Sequence, residues 1–321
     1  MASTSAAEKC AFLRKPLESE QMQQIEAAYG TYIASFKPVY DAVRNHTRVD
    51  NDQIQKLVKK ILQDIEGSES DYKQFMLYGL QGGSDFNQNA VNVAVISALL
   101  GQRLELARKE MRILTTGALL HDLGMQRIPP EILSKTSALS SEEQRLVQTY
   151  PVHSYKIITG ELSFPDEIGL IALQHQERWS GGGYPRNLSG KSIDRNARIV
   201  AVADSFEAML SKRPYRNSMD GYEAVRAIIR DNGQRFDPEI IKVFIRTFGI
   251  YPRGCLLLLN NGSIGRVLDI NSQAPLRPLV KIMIDPDGNE YANDNGPEID
   301  MRTNKHVFVV KAINPEQFAQ E

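Results

Sequence analysis

The pattern of hydrophobic and polar positions divides the chain into a long helical part and a short β-rich end. In NDQIQKLVKKILQDIEG, apolar residues recur at the three- and four-residue spacing of one helix face, at Ile54, Leu57, Val58, Ile61, Leu62 and Ile65. Long amphipathic segments continue, divided by short polar breaks, to about Gly249. The pattern therefore predicts a mainly α protein, in which a helical lead-in precedes an all-helical domain. The lead-in is expected to pack on a neighbouring element or on a second copy of the chain, as in a homodimer.

After Tyr251 the pattern changes to short β-rich runs. GCLLLLNNGSIGRVLDI, LRPLVKIMIDPDGNEY and KHVFVVKAI are separated or interrupted by Asn-Gly and Asp-Gly pairs, which are turn signals. A small β-rich segment is expected to close the C-terminus. The predicted domains are a helical N-terminal region over 1–80, an all-helical domain over 81–250 and the β-rich segment over 251–321.

Composition narrows the functional classes. The 321 residues are 42% hydrophobic and carry a net charge of −1, so bulk attraction to nucleic acid or to an anionic membrane is not expected. Cys10 and Cys255 are far apart and form no CxxC pair, which argues against a disulfide framework and a zinc ribbon and favours a reducing compartment. The N-terminus lacks the apolar stretch of a signal peptide, and the longest apolar run, AVNVAVISALLG, is too short to cross a bilayer. We therefore expect a cytoplasmic protein with no membrane anchor.

Candidate chemistry begins with adjacent His121 and Asp122, which follow an apolar run in LLHDLGMQRIPPEIL. Of the other histidines, His175 precedes a glycine-rich turn, whereas His46 in the polar lead-in and His306 in the β-rich tail are expected to lie at the surface. Asp204 is the only charged residue of IVAVADSF, and a buried carboxylate is costly unless it is paired or bound to a cation. Asp204 is therefore the predicted partner of the His-Asp pair.

These residues occur in motifs that resemble the HD-GYP domains. These domains are a bacterial branch of the HD metal-dependent phosphohydrolases, and their known members hydrolyse the second messenger cyclic di-GMP. The matching stretches are ALLHDLGMQRIP, HQERWSGGGYP, RIVAVADSFEAMLSKRPYR and GQRFDPEIIKVF, in the family's order. The resemblance covers roughly Asp85 to Thr247. It implies an HD-type helical domain over 81–250.

The resemblance also implies a centre of two or three metal ions, most often iron or manganese. Five of the family's metal-binding positions are retained: His121, Asp122, His175, Asp204 and Asp85. The resemblance also implies that His121 and Asp122 are the catalytic pair. Three family histidines are replaced, by Asn89, Tyr150 and Gln176, and the lysine of HDxGK is replaced by Met125.

These replacements weaken the implied centre. Amide oxygens are poor ligands for iron and manganese compared with imidazole, and a neutral tyrosine keeps its proton to high pH. We expect at most one divalent ion (Mn, Fe or Mg) per chain, held by His121, Asp122 and Asp204, with Asn89 and waters as further ligands. His153, nearly one helical turn after Tyr150, is an alternative replacement for the lost imidazole.

The ligand-binding half of the family pattern is retained. Gly183, Tyr184 and Pro185 form the GYP loop, in which glycine permits close approach of the backbone and tyrosine offers a stacking surface for guanine. Arg213 and Arg216, in SKRPYR, match cations that contact phosphate and base in the family, although both are equally compatible with a solvated surface role.

Two functions follow from this pattern. The first is a degenerate HD-GYP protein, a pseudoenzyme of cyclic di-GMP signalling, which binds cyclic di-GMP or a partner such as a diguanylate cyclase domain through its GYP loop. The second is an active metal-dependent cyclic di-GMP phosphodiesterase with a reduced metal site. The loss of three ligands and the lysine favours the first function, and metal content per chain distinguishes the two.

Overall fold

The computed structural model describes residues 20–79, 85–211, 221–291 and 295–313 of the chain. It divides into two compact units, one formed by Gln21–Asp220 with Ala227–Val243 and the other built mainly from Phe244–Glu321. The three-domain division drawn from the sequence stays a prediction.

The described part is mainly helical, as the sequence predicted. The helices in chain order are α1 (Glu20–Arg44), α2 (Asn51–Gln74), α3 (Phe86–Arg103), α4 (Arg108–Leu120), α5 (Pro130–Leu133), α6 (Ser141–Val147), α7 (Tyr150–Lys156), α8 (Asp166–Gln174), α9 (Arg195–Leu210), α10 (Gly221–Arg230) and α11 (Pro238–Phe248). Short π-helical turns follow α2 and α7, at Phe75–Gly79 and Ile157–Glu161. Two 3-10 turns lie at Leu123–Arg127 and Gly190–Ser192.

Helix α2 confirms the predicted amphipathic pattern. The side chain of Asp50 caps its first turn by accepting a hydrogen bond from the Asp52 amide. The predicted apolar face is buried at Ile54, Leu57, Val58, Ile61 and Ile65, and Leu62 is half-buried. Burial of this stripe stabilises a helix whose polar face remains in water.

Helix α3 runs through the core of the first unit. All its residues from Ala90 to Gly101 are buried, which explains the longest apolar run of the sequence. Asn92, the polar exception near its start, accepts a hydrogen bond from Tyr29 and donates one to Glu207. Its amide is therefore satisfied in the core. Among the described residues, no helix has both the length and the apolar character required to cross a bilayer.

Helices α4 and α8 approach each other closely at Gly117. A Cβ atom at this position would lie 2.4 Å from Ile171 Cδ1, so only glycine allows the contact without a shift. Each helix ends immediately before a histidine, His121 after α4 and His175 after α8. This packing places the two imidazoles side by side.

The second unit contains the β-rich segment that the C-terminal pattern predicted, and its strands form an antiparallel sheet. Its strands are β1 (Leu256–Leu259), β2 (Ile264–Asp269), β3 (Leu279–Ile284), β4 (Glu298–Asp300) and β5 (Val309–Ile313), in the order β4-β3-β2-β1-β5. All pairs are antiparallel. The predicted turns contain Gly262 and Gly288 at φ values of 90° and 87°, a conformation that favours glycine. One face buries an apolar cluster that includes Leu257, Val267 and Val280.

Candidate metal centre

His121 is held at the end of α4 with one ring nitrogen facing the candidate centre. It is fully buried, and its Nδ1 lies 2.7 Å from the Ala118 carbonyl oxygen. Because a carbonyl oxygen can only accept, Nδ1 carries the proton in this hydrogen bond. Nε2 is therefore the atom that is available to a metal ion.

His175 is oriented in the same way but has a different second partner. Its Nδ1 donates to the Ala172 carbonyl oxygen at 2.8 Å, and its Nε2 lies 2.8 Å from the Tyr150 hydroxyl. In the neutral imidazole Nε2 has no proton, so the phenol donates to it. Tyr150, which replaces a histidine of the resembled motif, thus bonds to the ring nitrogen of His175 that faces Asp122.

Asp122 lies between the two imidazoles. Its Oδ1 is 3.4 Å from His121 Nε2 and 3.5 Å from His175 Nε2. The turn that follows is fixed by Gly124, whose amide donates to Ser154 Oγ at 2.8 Å, and a Cβ atom there would lie 2.0 Å from the Tyr150 carbonyl oxygen. Glycine is therefore required for this turn to rest on α7.

Asp204 approaches the pair from α9, as the sequence predicted. Its Oδ1 is 3.8 Å from His121 Nε2, and its Oδ2 accepts a hydrogen bond from Gln176 Nε2 at 3.2 Å. Gln176 and Tyr150 both replace histidines of the resembled motif. Each of them donates a hydrogen bond to a residue that the motif retains, Gln176 to Asp204 and Tyr150 to His175.

The donor set that remains fits a cation. The ligand atoms of His121, Asp122 and His175 all lie within 4.8 Å of one another. His121 Nε2 and Asp122 Oδ1 are buried and have no hydrogen-bond partner among the described residues. Buried polar atoms without a partner are costly, and a divalent ion between a nitrogen and a carboxylate oxygen satisfies both.

Asn89 is held by Glu207, a buried glutamate that was not predicted from the sequence. Asn89 Nδ2 donates to Glu207 Oε2 at 2.6 Å, and the same carboxylate accepts from Asn92 and from the Ser211 hydroxyl. This leaves Asn89 Oδ1 buried with no hydrogen-bond partner among the described residues. The signal for Glu207 was its place one turn after Asp204 on an otherwise apolar helix face.

Asp85 has a structural role at the start of α3. It is the N-cap, and its Oδ1 accepts from the Asn87 backbone amide at 2.8 Å and from the Asn87 side chain at 2.9 Å. It does not belong to the His121–Asp122–His175 group. Its role as a metal ligand stays a prediction.

The GYP loop is fixed from within by Glu177, a second residue with a role that sequence reasoning missed. This buried carboxylate accepts from the backbone amides of Arg186 at 2.7 Å and Leu188 at 2.9 Å. At Gly183 a Cβ atom would lie 2.5 Å from backbone atoms of Glu177 and Arg178. The third residue of the loop's GGG run must therefore be glycine.

Tyr184 and Pro185 complete the loop beside the candidate centre. The ring of Tyr184 packs edge-on against that of Tyr150, with centroids 6.5 Å apart. Burial, followed by the nearby Asp122 carboxylate, raises the pKa of Tyr184 to about 12 and raises that of Tyr150 well above its usual value, so both phenols keep their protons. Arg213 and Arg216, the predicted phosphate-binding cations, lie outside the described residues.

In the metal-free protein, folding stability is expected to decrease as the pH rises through about 9. Burial alone would lower the pKa of His121, but the Asp122 and Asp204 carboxylates outweigh it and raise the pKa from 6.5 to about 9. A raised histidine pKa stabilises the fold fully below pH 6.5, and this contribution is lost as the pH rises through about 9. Urea unfolding in the presence of a chelator, at pH values below and above 9, measures this decrease in the free energy of unfolding. His121→Gln is the control and should lack this decrease; the same decrease in both proteins would contradict the assignment.

Comparisons with known proteins agree with this geometry. A family model described as HD domain matches residues 80–240, half of the chain, and one described as KOW domain associated with HD domain matches residues 256–321. A cyclic di-GMP phosphodiesterase of Pseudomonas aeruginosa is 34% identical over 194 residues, which cover 60% of this chain and 47% of that protein. A cyclic di-GMP phosphodiesterase response regulator of Xanthomonas campestris is 37% identical over 152 residues, 47% of this chain and 40% of that protein.

The chain spans about half the length of the curated relatives it matches. Among solved structures, an HDG“Y”P protein from Bdellovibrio bacteriovorus matches with a TM-score of 0.57 and 18% identity, over 74% of this chain and 76% of that one. This likeness shows a shared fold. The matched HD model, together with the cyclic di-GMP phosphodiesterase relatives, shows that the chain belongs to the HD-GYP family of HD-domain proteins.

Proposed function

We propose that this protein is a degenerate HD-GYP protein of cyclic di-GMP signalling, which binds cyclic di-GMP and hydrolyses it slowly or not at all. The observation that carries the proposal is the hydrogen bond between Tyr150 and His175 Nε2. Divalent metal use is a property of HD phosphohydrolases, and phosphodiester hydrolysis in two-metal sites needs ions about 4 Å apart that act on both the attacking and the leaving oxygen. Here the imidazole nitrogen available to a second ion already accepts a hydrogen bond from a phenol.

The other replacements act in the same direction. Gln176 donates to Asp204 Oδ2 where the family has an imidazole, and Asn89 donates to Glu207. Met125 carries no charge that could neutralise a substrate phosphate. One ion could be held by His121, Asp122 and Asp204 with Asn89, and when bound it would polarise a phosphodiester oxygen. The four substituted positions then supply neither the imidazoles nor the lysine that would complete the reaction centre.

The ligand-binding half supports recognition of a nucleotide. Glu177 holds the backbone of the GYP loop, and Tyr184 is half-buried beside the centre, with an aromatic ring that can stack on guanine. Because Tyr184 keeps its proton, its hydroxyl can also donate to a phosphate oxygen. The loop is therefore arranged for binding even where hydrolysis is impaired.

An active phosphodiesterase with a reduced metal site is the second candidate function. It is favoured by the buried His121 Nε2 and Asp122 Oδ1 atoms, which have no hydrogen-bond partner among the described residues and fit a cation. Assays with added manganese or iron distinguish the two candidates: linear product formed at ordinary enzymatic rates would establish the second function and contradict the first.

Cyclic di-GMP is expected to bind the wild-type protein, and Arg213→Ala is expected to weaken binding by about 1.5–3 kcal/mol, the range for a hydrogen bond to a charged group. Calorimetry measures both affinities. Arg103→Ala is the matched control, because Arg103 is an exposed arginine in the last turn of α3. Unchanged affinity in Arg213→Ala would contradict its assigned role.

Absence of cyclic di-GMP binding at high micromolar concentration would contradict the receptor function. The remaining proposal would then be docking of a signalling partner, such as a diguanylate cyclase domain, on the GYP loop. Cytoplasmic location and a homodimer through the lead-in stay predictions from the sequence.

A further inference from the structure

A cavity of about 370 Å³ lies where α4 and α8 begin. These helices end at His121 and His175. Along α4 its lining runs from Arg108 to Thr116, which lies about 7.5 Å of helix before His121. The cavity shares none of its described lining residues with the His121–Asp122–His175 group, so it is a separate site.

The cavity wall carries an excess of positive charge. Arg108, Lys109 and Arg112 of α4 line it, and Glu167 is the only acidic residue among its described lining residues. Within the described part of the chain, none of the three basic side chains makes an ion pair, and all are exposed. They are free to contact an anion that enters the cavity.

The position of these cations opposes the local preferences of a helix. Arg108 and Lys109 are the first two residues of α4, where the positive end of the helix dipole disfavours cations. Arg108 and Arg112 are also like charges four residues apart, a spacing that destabilises a helix slightly. Local preferences are commonly violated at functional sites, and a bound anion would offset both costs.

A buried hydroxyl in the wall is available to the same ligand. Thr116 is 1% exposed and lines the cavity, and its hydroxyl has no hydrogen-bond partner among the described residues. Because Thr116 lines the cavity, a phosphate oxygen there would accept a hydrogen bond from this hydroxyl.

We propose that this cavity binds a phosphate-bearing ligand of nucleotide size. Arginine forks and a lysine suit phosphate oxygens, and Phe164 and Ile113 give the wall an apolar part on which a base ring can pack. The volume lies within the range of small-molecule sites. The proposal concerns residues that the GYP loop and the metal centre do not use, so it does not depend on the proposed function.

Calorimetry on the full chain with ADP, inorganic phosphate and adenosine tests the site. ADP is expected to bind, inorganic phosphate to bind more weakly and adenosine not to bind measurably, because the cations act on the phosphates. The double variant Arg108→Gln with Arg112→Gln is expected to weaken ADP binding at least about tenfold. Thr116→Val should also weaken it. The matched control is Arg145→Gln, since Arg145 is an exposed arginine on α6 outside the cavity, and its affinity should equal that of the wild type.

The double variant is expected to fold, because removal of cations from the positive end of α4 does not weaken the helix. Its melting temperature should equal or exceed that of the wild type. ADP binding that is absent in the wild type, or unchanged in the double variant, would overturn the proposal. Inorganic phosphate that binds as tightly as ADP would overturn the nucleotide class and leave a phosphate site.

Discussion

The purified protein is expected to hold at most about one divalent ion per chain, and Asp204→Ala is expected to lose that ion. The ion is expected between His121 Nε2, Asp122 Oδ1 and Asp204 Oδ1. Two of these atoms, His121 Nε2 and Asp122 Oδ1, are buried and have no hydrogen-bond partner among the described residues. Asp204→Ala removes one carboxylate ligand and leaves His121 and Asp122 with the amide oxygen of Asn89, which is a weaker ligand than a carboxylate or an imidazole. A second ion beside His175 would lack a free imidazole nitrogen, because Tyr150 bonds to His175 Nε2.

Elemental analysis after purification, followed by manganese or iron titration, measures this stoichiometry. Asp287→Ala is the matched control for Asp204→Ala, because Asp287 is an exposed aspartate in a turn of the C-terminal unit. The control should keep the wild-type metal content. Two or more ions of iron or manganese per chain in the wild type would contradict the prediction and would indicate that Tyr150 moves away from His175.

Asp85→Asn distinguishes the helix-capping role of Asp85 from its predicted role as a metal ligand. Asparagine is as good an N-cap as aspartate, so α3 should keep its cap and the protein its stability. The side chain loses its charge, however, and amide oxygens bind metal more weakly than carboxylates. A lower metal affinity would confirm the predicted ligand role of Asp85, whereas an unchanged affinity would restrict Asp85 to capping.

The features that the sequence predicted correctly depend on local pattern. The apolar face of α2 follows from periodicity, and the C-terminal sheet follows from β-rich runs and turn pairs. The approach of Asp204 to His121 was predicted because a charge in an apolar run requires a partner, and the two side chains do lie together. In each case the pattern of residue types within a short segment was sufficient for the prediction.

The features that were missed depend on contacts between distant segments. Asn89 and Glu207 are 118 residues apart, and Tyr150 and His175 are 25 apart. Periodicity gives the face of a helix but not the side chain it meets on another helix. From the sequence, Tyr150 and Gln176 were only lost ligands, whereas the structure has them donating to His175 and Asp204. Their effect on the centre is therefore larger than a simple absence.

Restoration of the four family residues is expected to give the chain a second metal ion and measurable hydrolysis of cyclic di-GMP. The variant combines Asn89→His, Met125→Lys, Tyr150→His and Gln176→His. Replacement of Tyr150 removes the phenol that bonds to His175 Nε2, and the three new imidazoles add ligands suited to iron and manganese. The lysine adds a charge that can neutralise a substrate phosphate. Each tenfold gain in rate corresponds to about 1.4 kcal/mol of barrier.

Tyr150→Phe is the matched control for this restoration. It removes the hydrogen bond to His175 Nε2 but adds no ligand, so it should leave hydrolysis at the wild-type level. Each single reversion should also have little effect, because groups that share one reaction centre act as a unit. Metal analysis measures the gain in bound ions, and chromatography of the linear product measures the gain in hydrolysis. A fully restored variant that folds and binds two ions but forms no product would show that the missing ligands are not the cause of impaired hydrolysis. A wild-type protein that already forms product at the restored rate would show instead that Tyr150 and Gln176 are compatible with a working centre.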